Sequence, residues 1–325
     1  MIEKILTYAK KQGCSDVHIT TGSSPMLRID GEMVAIPNAP QLTNAQVLEM
    51  LYSVMNEVQK KMYEEKWELD FSIQAGADLR FRVNAFKTIY GAAAVFREIP
   101  SEIRSLSALH APEIVRGLAN AAKGLILVVG PTGSGKSTTL AALIDQINTM
   151  HSSHIITIED PVEFIHKNKK SLINQREVGN STLSFANALK SALREDPNVI
   201  LVGELRDVET IQLALTAAET GHLVLGTLHT SSSAQTINRM IDVFPSEDKA
   251  VVRTMLSTSI KAVVSQRLLK KNGGGRVAAY EVMIANSSIR NLIREDKIQR
   301  SRSSFILTLK HEWRSKVALT LPTRL

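Results

Sequence analysis

Apolar positions along the chain follow two regimes. Up to about residue 100, short helical and alternating patterns succeed one another. Ile2, Ile5, Leu6 and Ala9 recur at helical spacing, and Asp16–Ile19 reads as a short strand followed by a turn at Gly22–Pro25. Met26–Ile29 and Met33–Ile36 flank Asp30-Gly31, a strong hairpin signal. The stretch from Asn44 to about Trp67 is helical in composition. Thr43 is its N-cap candidate, Gln46 completes a capping box, and Val47, Leu48, Leu51 and Met55 form its apolar face. Leu79–Phe86 alternates strictly, which predicts a strand with Arg80 and Arg82 on one face and Ala92–Ile99 as its partner.

From Gly124 the pattern changes to continuous apolar runs followed by helices. The runs are Leu125–Val129, His154–Ile158, Asn198–Val202 and Leu223–Thr227. Such runs suit strands buried on both faces, as in a parallel sheet with helical crossovers. The polar, broken stretch from Pro100 to about Pro112 reads as a linker, and Gly273–Gly275 as a hairpin tip. A length of 325 residues favours two domains.

Composition removes several classes. At 44% hydrophobic and 22% charged the chain is ordinary globular material. Cys14 is the only cysteine, so no internal disulfide can form and a cysteine-based zinc site is disfavoured. No apolar run reaches the 18 residues of a membrane span, so no integral membrane segment is expected. Met1-Ile2-Glu3-Lys4 lacks the apolar core of a signal peptide, so the reading is cytoplasmic. The net charge of +7 invites a nucleic-acid partner, but residues 297–325 hold seven Lys or Arg against Glu312 alone, +6, leaving +1 for the rest. Aromatic residues are only 5% and no aromatic-rich basic strand occurs, so no nucleic-acid partner is expected.

Gly130-Pro131-Thr132-Gly133-Ser134-Gly135-Lys136-Ser137 fits G-x-x-x-x-G-K-[ST], between an apolar strand and a helix over about 136–147. Glycines let successive amide groups face phosphate oxygens, and the helix presents its positive end to the same anion. Lys136 is placed to reach the β- and γ-phosphates and the Ser137 hydroxyl to ligate Mg²⁺. Thr138 completes the candidate nucleotide-binding run. Downstream, Glu204 ends an apolar strand, where it is either a Mg²⁺ ligand or a helix cap. Glu159, Asp160 and Glu163 follow another strand, either as a solvated acidic loop or as a group that includes a water-activating base. No Asn/Thr-Lys-x-Asp element follows a late strand, so adenine is the better base.

With these motifs the sequence resembles the secretion and traffic hexameric ATPases, from about Ser15 to Asn291, and within them the type IV pilus retraction branch. The matching segments are Ser15–Ile19 with Arg28–Gly31, Arg80–Phe86, Phe96–Pro100, the Gly130–Ser137 loop and Thr157–Phe164 as an aspartate box. Ile200–Asp207 resembles an atypical Walker B, Thr220–Thr230 a histidine box, and Ser288–Ile293 the retraction signature, with Ser288 in place of Ala. The resemblance implies an α/β fold. A PAS-like α+β domain over 1–100 and a linker over 101–118 precede a RecA-like P-loop ATPase domain over 119–296 and a divergent basic tail over 297–325.

It also implies a homohexamer that hydrolyses ATP with Mg²⁺ and works on an inner-membrane pilus platform protein. By position, Glu163 becomes the catalytic glutamate and Glu204, with Ser137, the Mg²⁺ shell. His222 becomes a contact to the γ-phosphate side and His229 a nucleotide-site residue near a subunit contact. Arg82 and Arg97 become cations delivered to the phosphates on closure. Without the resemblance those arginines read as solvated strand charges and the histidines as ordinary ones. The function implied is a motor for pilus retraction, the alternative an ATP-binding regulator with weak or no turnover.

Overall fold

The computed structural model describes residues 2–29, 31–75, 79–99, 102–270, 276–299 and 306–308. They form two compact units, Met1–Glu102 and Ile103–Leu325.

The first unit runs α1 (Ile2–Lys11), β1 (Asp16–Thr20), β2 (Met26–Ile29), β3 (Glu32–Ala35), α2 (Asn44–Tyr52), α3 (Glu57–Lys66), β4 (Glu68–Gln74), β5 (Arg80–Thr88) and β6 (Gly91–Ile99). The strands build an antiparallel sheet in the order β3-β2-β1-β6-β5-β4. Its register makes the two faces easy to read. Leu27, Val17, Phe96, Val83 and Phe71 line up across five strands and are buried, packed with Leu6 of α1 and Leu51 of α2. On the opposite face Arg28, Asp16, Arg97, Arg82 and Ser72 line up in the same way.

The single helix read over 44–67 is two. Thr43 and Gln46 do form a capping box, but Asn56 and Gln59 form a second one and start α3. Two caps satisfy two sets of orphan amides, which one continuous helix would not need. Asp30 of the expected hairpin lies outside the described residues.

The second unit continues with α4 (Glu113–Gly117), β7 (Gly124–Val129), α5 (Lys136–Met150), β8 (His154–Glu159), β9 (Leu172–Glu177), α6 (Phe185–Ala192), β10 (Val199–Val202) and α7 (Val208–Glu219). It ends with β11 (Leu223–Leu228), α8 (Ser233–Asp242), α9 (Lys249–Ser259), β12 (Ile260–Lys270), β13 (Arg276–Ile284), α10 (Ser287–Arg294) and β14 (Ile306–Thr308). The sheet order is β14-β13-β12-β7-β11-β10-β8-β9. Strands β12 through β9 in that order are parallel, and β13 and β14 add antiparallel pairs at one side. Every residue of β7 and β11 is buried, because helices cover both faces. The α/β class expected from the continuous apolar runs is the class found.

The stretch read as a linker contributes to this core. Leu106, Ala111, Val115 and Leu118 are buried against β7 and α5 side chains. Its polar composition hid four well-spaced apolar anchors. Gly273–Gly275 lie outside the described residues, although β12 and β13 on either side pair antiparallel. Of the basic tail, Ile298 is buried in the core and Ile306–Thr308 pair with β13; the other residues beyond 299 lie outside the description. Among the described residues, no helix is long and apolar enough to cross a membrane.

Candidate nucleotide site

Strand order reverses around β7, whose sequence-distant neighbours β11 and β12 lie on either side of it. The carboxyl ends of parallel strands at such a point open a crevice for ligands. Here that edge carries the loop after β7, Glu159 at the end of β8, Glu204 after β10 and His229 after β11.

The loop 130–135 needs its glycines. Gly133 and Gly135 take φ of 75° and 87°, and Gly130 takes 149°. A Cβ on Gly130 would strike the Gln266 carbonyl oxygen and lie 2.6 Å from Ser134 Oγ. The left-handed turns face the loop inward as a concave, anion-accepting nest at the start of α5.

Lys136 is buried and folds back into this loop. Its Nζ donates to the carbonyl oxygens of Gly130 at 2.9 Å and Pro131 at 3.2 Å, and lies 3.4 Å from His229 Nδ1. Burial lowers its pKa, opposed by the negative charges of Glu204 and Glu163. His229 Nε2 lies 3.3 Å from Glu204 Oε1, and Arg206 Nη2 lies 2.6 Å from Glu204 Oε2. Burial alone would raise the Glu204 pKa, but the hydrogen bond from Arg206 and the charges of His229 and Arg206 bring it below the ordinary range. The chain of contacts Lys136–His229–Glu204–Arg206 therefore joins the loop to the end of β10.

The β8 side approaches closely at Gly203. A Cβ there would lie 3.1 Å from the Ile158 carbonyl oxygen and 3.3 Å from Glu159 Cα. Glu159 accepts from Thr157 Oγ1 at 2.7 Å and Gln175 Nε2 at 3.2 Å, and burial raises its pKa. Glu163 is exposed four residues on, its amide 3.4 Å from Glu159 Oε2.

A family model described as type II/IV secretion system protein matches residues 1–274. The chain belongs to this family. Relatives within it include the type IV pilus retraction ATPase PilT of Pseudomonas aeruginosa, 56% identical over 303 residues, which cover 93% of this chain and 88% of that one. A twitching motility protein of Neisseria gonorrhoeae is 59% identical over 281 residues, covering 86% and 75%. A crystal structure of the pilus retraction motor PilT with bound ADP superposes with a TM-score of 0.89 at 51% identity, covering 93% of this chain and 88% of that one. The ATPase DotB of Legionella pneumophila gives 0.88 at 26% identity, covering 98% and 93%.

In this secretion-family fold the second unit does not bring every candidate to the loop. His222 sits at the other edge of the sheet. Its carbonyl accepts from Gly124 N at 2.9 Å and its Nδ1 lies 3.0 Å from the Ala217 carbonyl oxygen. His222 therefore does not stand beside its own chain's loop. Strands β7 and β11 run parallel in register, so the six residues of β11, about 20 Å, separate His222 from the loop. Its partner in the histidine box, His229, lies beyond the carboxyl end of β11 and reaches Lys136.

In the first unit, Arg82 and Arg97 are cross-strand neighbours. Arg97 Nε donates to Asp16 Oδ1 at 2.7 Å, while Arg82 Nε is 3.8 Å from Asp70 Oδ1. Arg80 turns to Ser72 Oγ at 2.8 Å.

Two contributors carried no sequence signal of their own. Gln266, from β12, donates to the Ser134 carbonyl at 2.8 Å and accepts from Thr139 Oγ1 at 2.8 Å. Arg206 stood inside a matched run but had no assigned part.

The residues fit a bound polyphosphate. Ser134 Oγ is buried beside Gly130 and has no hydrogen-bond partner among the described residues, a costly state that a phosphate oxygen would relieve. Among the described residues no three His, Cys, Asp or Glu cluster as a metal site. The Ser137 hydroxyl and the Glu204 carboxylate are the hard-oxygen donors suited to a Mg²⁺ that also takes phosphate oxygens.

Proposed function

We propose that this chain is an ATP-hydrolysing motor that drives type IV pilus retraction, assembled as a ring of six at the cytoplasmic side of the inner membrane and acting on a pilus platform protein. The observation that carries the reading is the Lys136–His229–Glu204 constellation beneath a glycine nest, in a chain 56% identical to a pilus retraction ATPase.

In the mechanism, ATP phosphates enter the nest and Lys136 exchanges the carbonyl oxygens of Gly130 and Pro131 for β- and γ-phosphate oxygens. A charge-assisted bond to phosphate is stronger than one to a neutral carbonyl, so the exchange favours binding. Mg²⁺ held by Ser137 and Glu204 would supply charge neutralisation at the same oxygens. Arg206 and His229 hold Glu204 ionised and aimed until it is needed.

Glu163, exposed beyond β8, orients the attacking water and takes its proton. Arg82 and Arg97 act as cations that meet the phosphates only in a closed state. Such a cation stabilises the transition state above the ground state. His222 is left a part outside its own chain's loop.

The test is phosphate release by the full chain. Wild type should turn over, and Glu163→Gln should retain ADP binding while losing at least about 100-fold in kcat. Equal turnover by the two would sink the role of Glu163. The same pair placed in a twitching-deficient strain lacking its retraction ATPase separates motor from silent regulator: only wild type should restore twitching.

A further inference from the structure

We propose that Gln266 is the positioning residue that gives the phosphate loop its shape, and that nucleotide affinity depends on it. This rests on the nucleotide-binding reading above.

The problem it solves is physical. A loop with glycines at 130, 133 and 135 has almost no conformational preference of its own. If it were left free, binding a phosphate would have to order it, at an entropic cost taken from the affinity. Something outside the loop must hold the amide groups inward beforehand.

Gln266 is placed to do so. Strands β7 and β12 are parallel, with Ser265 beside Val129, so the next residue of β12 falls beside Gly130. The Gln266 main-chain carbonyl fills the space that a Cβ on Gly130 would need. Its side-chain Nε2 donates to the Ser134 carbonyl at 2.8 Å and would lie 2.9 Å from a Cβ on Gly135. Its Oε1 accepts from Thr139 Oγ1, in the first turn of α5, at 2.8 Å. One residue thus touches the start, the late turn and the exit of the loop. Only 2% of it is exposed, so these bonds have no competition from bulk water.

The chemistry requires an uncharged amide of this length. A carbonyl at Ser134 needs a donor and the Thr139 hydroxyl needs an acceptor. Glutamate keeps the acceptor and sets a second oxygen against the Ser134 carbonyl; methionine fills the volume and offers neither bond. The cross-strand neighbour of Gln266 is Tyr280, buried beside the same cluster. One residue back, Ser265 Oγ donates to the Ser231 carbonyl at 3.1 Å, so β12 also steadies the loop that follows His229.

The experiment uses the full chain and a fluorescent ADP analogue. Binding, thermal unfolding without nucleotide, and steady-state ATP turnover are measured for wild type, Lys136→Ala, Gln266→Met and Gln266→Glu. Gln266→Met should weaken binding by about tenfold or more, with kcat/KM falling further than kcat. Gln266→Glu should also bind weakly near neutral pH. Its affinity relative to wild type should recover as pH falls, because the protonated carboxyl can again donate to the Ser134 carbonyl. Gln266→Met should show no such recovery.

A folded Gln266→Met that binds within about twofold of wild type overturns the inference, as does a loss confined to the melting temperature. If Gln266→Met fails to fold, the pH recovery of Gln266→Glu decides, and a flat ratio overturns it. Wild type that binds no analogue removes the nucleotide reading itself. Wild type that binds while the Gln266 variants bind equally removes this inference alone.

Discussion

Lys136 is bonded to the backbone of its own loop. Removing it takes away both the charge that phosphate needs and the bonds that fill the nest. Lys136→Ala should therefore lower nucleotide affinity by at least about 100-fold in a titration, with the fold retained by circular dichroism.

His166 provides a pH prediction independent of catalysis. It follows the acidic loop, its amide donates to Gln175 Oε1 at 2.8 Å, and burial lowers its pKa to about 4. A folded-state pKa below the unfolded value of about 6.5 means that the unfolded chain binds the proton first. The associated stability is present above pH 6.5 and is lost as pH falls toward 4. Urea unfolding should show wild type losing about 1–2 kcal/mol more than His166→Gln between pH 7 and pH 5. Equal losses would count against a neutral buried imidazole.

The residues legible in the sequence were those whose spacing is local. Gly130 to Ser137 are fixed by one turn of chain, and Glu204 by the end of one strand. Gln266 could not be read, because its bond to Ser134 depends on a strand pairing across more than a hundred residues. Arg206 could not be read either, since no spacing rule says that a strand-end arginine turns back to the acid two residues before it. His222 and His229, seven residues apart in one box, flank opposite ends of β11.

Among the elements, α10 shows what a signature segment can do structurally. Ile289 and Ile293 are buried, and Arg290 reaches back to the junction where α9 passes into β12 without a loop. It donates to the carbonyl oxygens of Ser257 and Thr258 at 2.6 Å, Ile260 at 2.9 Å and Ala285 at 3.1 Å. Helix ends leave such carbonyls unpaired, and a guanidinium fork suits several at once. Arg290→Ala should cost about 2 kcal/mol, read as a lowered Tm, with Arg290→Lys recovering less than half. An unchanged Tm would assign Arg290 to a surface role instead.

The continuous runs of β7, β8, β10 and β11 were legible because both faces are buried. The α2–α3 break was hidden by a composition that stays helical across it. The anchors Leu106 and Ala111 were hidden among polar neighbours.

At the scale of the molecule, the two units differ in how their sheets are made. The first is antiparallel with one apolar face and one polar face, on which Arg97 and Arg82 stand in a row with the buried Asp16. The second is largely parallel and buried on both faces. The proposed ring should appear in light scattering as a species of about six chains when ATP is present with Mg²⁺ and Glu163→Gln prevents turnover. A monomer at all protein concentrations would sink it. The charge balance argues in the same direction: with +1 outside residues 297–325, DNA should leave ATP turnover unchanged.

The pairing of β7 also bears on how the chain is made. Its two neighbours are β11, beginning at Leu223, and β12, ending at Lys270. The first unit has all its strands once Ile99 has been synthesised. The phosphate-loop strand has to wait. At about 5–20 residues per second, the roughly 140 residues from Gly124 to Gln266 take on the order of 7–30 s to emerge. Until Leu228 is made, Leu125–Val129 is an apolar segment with neither partner strand available, and from there to β12 it has β11 alone. A ribosome-stalled chain ending before β12 should therefore hold a folded first unit and an open, chaperone-binding phosphate loop, and competence to bind ATP should appear late in translation and all at once.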